Sequence, residues 1–189
     1  MGFNITEMII LTILKPHWIG SNRDNDPADQ CVHGQVEFRI NDTTFVKPED
    51  GDLSLATAAL YLMRTIEKDH TLGKSVSSDD PKYPYLFPDE AFTVWVIDGK
   101  LTIMGGQDGV DMEVVHRGEN IAIRRVDGKE ELVTRGEWVA AVYSFADQIR
   151  AFYDSEKPKT INEDKLEREG WETFWKEWIQ RRSQVALPE

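Results

Sequence analysis

The stretch 92–133 constrains the fold most. Short apolar-rich runs at 92–97, 101–104, 111–116, 120–126 and 129–133 are separated by Asp98-Gly99, Gly105-Gly106, Arg117-Gly118-Glu119 and Asp127-Gly128. Asp-Gly between such runs signals a tight hairpin, because its central residues tolerate positive φ at little cost. No connection here is long enough for a parallel crossover, which needs a dozen residues or more. The segment therefore reads as an antiparallel β-meander of about five strands. In 120–126, Ile121, Ile123 and Arg125 share one side, while Ala122, Arg124 and Val126 share the other. That mixture places the strand toward an edge or gives it a solvated face.

Upstream, 5–14 is a short Ile- and Leu-rich run that Pro16 should end, which reads as a buried strand. In 32–40, Val36, Phe38 and Ile40 alternate with Gln35, Glu37 and Arg39, the pattern of a half-buried strand. Asn41-Asp42 offers a turn into a short partner strand at 43–46. A helix is expected over 53–69 with Asp52 as its N-cap. Its wide apolar arc includes Leu53, Ala56, Leu60 and Met63. Thr134-Arg135-Gly136-Glu137 has capping-box spacing and should open a helix over 135–155. A last helix is expected over 163–182, with acids at its start and Arg181 and Arg182 at its end, as the helix dipole favours. The order of strands, helix, strands, helix, helix is segregated α+β: an antiparallel meander sheet with three helices packed on it. One domain over 1–189 is expected, because helix 53–69 needs a sheet to cover its apolar face. A sub-lobe boundary could fall within the Pro-rich stretch 70–90.

Charge narrows the partners. The chain of 189 residues has 34 acids against 22 bases, a formal charge of −12. Residues 1–90 carry 15 acids and 8 bases, so both halves are acidic, and 17–52 is densest with 8 acids against 3 bases. Nucleic acid is excluded as the default partner, because that binding rests on Lys and Arg displacing counterions from phosphates. An anionic membrane surface is disfavoured for the same reason. The longest near-apolar run, 8–14, falls well short of the roughly 20 residues a membrane helix needs. That run lacks a basic N-terminal region, with Glu7 before it, and a small-residue cleavage site, with Lys15-Pro16-His17 after it, so no signal peptide is expected. Cys31 is the only cysteine, which precludes an intrachain disulfide and fits a reducing compartment; a cytoplasmic location is expected.

Catalytic chemistry finds little purchase. His17, His33, His70 and His116 are scattered, with no zinc-ligand spacing. The Asp24-Asn25-Asp26 run with Asp29 supplies hard oxygens. A calcium loop counted from Asp24 would need Gly at its sixth position and Glu at its twelfth, where Asp29 and Gln35 stand. No metal and no cofactor are therefore expected. Cys31 and His33 would point the same way on a strand, but no third group orients them. Gly105-Gly106-Gln107-Asp108-Gly109 joins two strands rather than opening a helix, so it is not a phosphate cradle. Asp111 and Glu113 share a strand face, as an acid–base pair would.

The expected function is thus non-enzymatic: an acidic protein engaging a protein partner of basic character. One form would be an immunity-type inhibitor of a basic toxin or nuclease. The contact acids would be Asp24, Asp26, Asp29, Glu49, Asp50 and Asp52. The alternative is a small-molecule binder or enzyme with a pocket between sheet and helices, using Cys31, His33, His70, Asp111, Glu113 and His116. Trp171, Phe174, Trp175 and Trp178 form one helical face that serves either the core or an interface. The expected state is accordingly monomer or homodimer.

Overall fold

The computed structural model describes residues 9–18, 32–66, 94–97, 100–103, 110–125, 127–155 and 165–183. Nine strands and three α-helices lie within them, with the α+β order that the pattern predicts. The first sheet comprises β1 (Ile9–Trp18), β2 (Val32–Ile40), β3 (Thr43–Val46) and β4 (Leu53–Ser54). β2 is its centre and pairs antiparallel with the other three. The second sheet is a meander in sequence order: β5 (Val94–Ile97), β6 (Lys100–Ile103), β7 (Val110–Arg117), β8 (Asn120–Arg125) and β9 (Glu130–Thr134). β8 lies between β7 and β9 rather than at the edge, and Arg124 is on its wetter face.

Two departures from the sequence pattern have local causes. Pro16 does not end β1, which continues to Trp18. The register steps from Leu14 opposite Gln35 to His17 opposite His33, so Lys15 and Pro16 bulge across Gly34. A proline is tolerated at a bulge because no ladder hydrogen bond is asked of it there. Gly34 makes room: a Cβ on it would lie 3.0 Å from the Leu14 carbonyl oxygen and 3.2 Å from Pro16 Cα. The first helix, α1 (Leu55–Arg64), starts later than the composition suggests. Leu53 and Ser54 pair with Gly34 and His33 as a strand, which moves the helix start beyond Asp52. The Ser54 hydroxyl then donates to Thr57 Oγ1 at 3.1 Å, within the first turn. The expected residues 67–69 of this helix and the stretch 70–90 lie outside the described residues.

α2 (Arg135–Ser155) begins where the capping box places it. The Glu137 N–H donates to Thr134 Oγ1 at 3.2 Å, while the Glu137 carboxylate accepts from the Thr134 N–H at 2.9 Å. α3 (Lys165–Ser183) runs antiparallel to α2. Tyr153 stacks edge-on against Trp175, and Tyr143 Oη donates to the Arg181 carbonyl at 3.1 Å.

Buried residues from both sheets and all three helices form one apolar cluster. Phe38 of β2 stacks on Phe45 and leans on Trp138 of α2. Trp18 of β1 packs on Phe152 and Tyr153. Trp171, Phe174 and Trp178 are buried, and Trp175 is half-buried beneath the Arg150 guanidinium. Trp171, Phe174 and Trp178 of the α3 face are therefore core rather than interface. They join the cluster shared with both sheets and the other two helices, and Tyr153 and Arg150 of α2 pack on Trp175. Glu131 of β9 accepts from Asn41 Nδ2 at 3.1 Å and Thr43 Oγ1 at 2.5 Å, linking the β2–β3 turn to the second sheet. Arg125 donates to the Thr44 carbonyl nearby.

Candidate functional site

The acidic turn between β3 and β4 follows from Lys47-Pro48-Glu49-Asp50-Gly51-Asp52. Pro48 pre-sets φ for the single 3₁₀ turn Pro48–Asp50. The Asp50 N–H donates to the Lys47 carbonyl at 3.0 Å, and the Asp50 carboxylate accepts from the Lys47 N–H at 2.7 Å. Gly51 has φ of 110°, a conformation that a side chain would strain. β4 pairing holds the far end of the turn. Glu49, Asp50 and Asp52 are all exposed on it.

These acids have different duties. Asp50 closes the turn. Asp52 Oδ2 lies 3.6 Å from His17 Nε2. His17 Nδ1 is 3.0 Å from the Lys15 carbonyl, which can only accept, so that nitrogen carries a hydrogen and Nε2 is the one turned toward Asp52. The His17 ring is 6.5 Å from that of His33, which is buried at 3% exposure. The bulge at Lys15-Pro16 is what brings His17 opposite His33 and beside Asp52. Glu49 has neither duty. Asp24, Asp26 and Asp29 lie outside the described residues.

The residues of the alternative pocket do not come together where they are described. His33 sits opposite Ser54, at the N-terminal end of α1. His116 donates from Nε2 to the Thr65 carbonyl at 2.8 Å, just past the C-terminal end of α1. A helix of 10 residues separates them, about 15 Å of rise. The side chains of Asp111 and Glu113 lie outside the described residues. Cys31 and His70 lie outside the described residues. Among the described residues, no group of three or more His, Cys, Asp and Glu side chains could hold a metal ion.

Charge pairing elsewhere is largely structural. Arg64 and Arg181 converge on Glu177, with donor distances of 2.7 Å and 2.6 Å to Oε1. Burial pushes this carboxyl up, but the hydrogen bonds and charges of Arg64 and Arg181 outweigh it and hold it at about 2. On the second sheet, Arg124 and Arg117 clamp Glu130 and lower its carboxyl below the ordinary value. Arg182 pairs with Asp147 at 2.7 Å, which raises the guanidinium, and lies over the Tyr143 ring.

Sequence reasoning missed an open groove along α2, lined by Gly136, Val139, Ala140, Tyr143, Ser144 and Asp147 with Arg182 of α3 at its rim. The spacing of Gly136, Ala140 and Ser144 at every fourth residue was a visible signal for it. The groove contains none of the residues expected to line a pocket. Among the described residues, no helix is long and apolar enough to cross a membrane. No family model, curated protein or solved structure matches the chain.

Proposed function

We propose that this chain is a non-enzymatic acidic binding protein that engages a basic protein partner, with the Lys47–Asp52 turn as part of the contact. One observation carries the reading: Glu49, Asp50 and Asp52 are exposed together on a backbone tied at both ends. Charges held on an ordered turn meet a partner without a further ordering cost. The overall charge of −12 would speed encounter with a cationic surface and slow it with an anionic one. Asp24, Asp26 and Asp29 belong to the same acidic stretch and extend the proposed contact. An immunity-type inhibitor of a basic toxin or nuclease is the concrete form this reading takes.

The test is affinity capture with the full chain, followed by binding kinetics with the captured partner at low and high salt. The variants are Glu49→Lys with Asp52→Lys, and Asp24→Lys with Asp26→Lys and Asp29→Lys. Asp50 is left intact because its carboxylate closes the turn. Each set should slow association at low salt by about tenfold or more, and the difference should shrink at high salt. Unchanged association and unchanged salt dependence in both sets would remove the proposal.

A further inference from the structure

We draw no further inference here: the strongest candidate, the open apolar groove along α2 from Gly136 to Ala151 beside Arg182 of α3, carries nothing because nothing in the structure shows what covers it.

Discussion

Thr65 joins three elements at one point. Its hydroxyl donates to the Leu62 carbonyl at 2.6 Å and accepts from the Trp138 indole N–H at 3.0 Å, while its carbonyl accepts from His116. Trp138 is fully buried, so its N–H has no access to water. Thr65→Val keeps the volume and removes the hydroxyl, both the acceptor for Trp138 and the donor to the Leu62 carbonyl. It should cost about 1–3 kcal/mol in urea unfolding, the price of a buried donor left unmatched. A loss under about 0.5 kcal/mol would mean that the indole had found another acceptor. Glu177 makes a second residue-scale prediction. Its folded-state value of about 2 lies below the ordinary 4.5, so its stabilisation is complete above about 4.5. It is lost as pH falls toward 2. The shift corresponds to roughly 3 kcal/mol. Glu177→Gln should destabilise at neutral pH by about 3 kcal/mol, because Arg64 is left in a nearly buried place without its carboxylate. The variant should also lose less stability than the wild type between pH 4.5 and acid. Parallel acid limbs in the two proteins would rule out Glu177 as a source of that loss.

At the scale of elements, end signals and bulges decide where segments start and stop. The capping box of α2 was readable because it is local: four consecutive residues contain both partners. Thr134→Ala should cost about 1 kcal/mol, seen as a shift in the urea midpoint with the slope unchanged. The continuation of β1 past Pro16 was not readable, because it depends on Gly34 of another strand. Gly34→Ala would press a methyl against the Leu14 carbonyl, Leu55 and Pro16. Two of these three contacts are with backbone, which yields little. The expected loss is about 1–3 kcal/mol. A neutral result would show that the bulge can shift without penalty. The late start of α1 has the same origin, since Leu53 and Ser54 are claimed by pairing with β2.

For the whole molecule, the two sheets share one buried cluster and are tied by Glu131 to Asn41 and Thr43. Neither sheet covers its own apolar face. They should therefore unfold together, with tryptophan fluorescence and far-ultraviolet circular dichroism giving coincident urea transitions. Two separated transitions would show that the sheets are independent units. Among the described residues no acid is buried, so their negative charge acts at the surface.

The sequence alone determined the α+β order, the meander with its turns at 117–119 and 127–128, the capped start of α2 and the apolar faces of the helices. All of these depend on periodicity or on residues within a few positions of one another. Tertiary structure alone decided that Trp171, Phe174 and Trp178 of α3 are core, that His33 and His116 stand at opposite ends of α1, and that Asp52 pairs with His17. Those outcomes depend on which distant segments meet. A residue type states what a side chain can bond to. Only the packed chain brings a particular partner within reach and excludes the water that would otherwise compete.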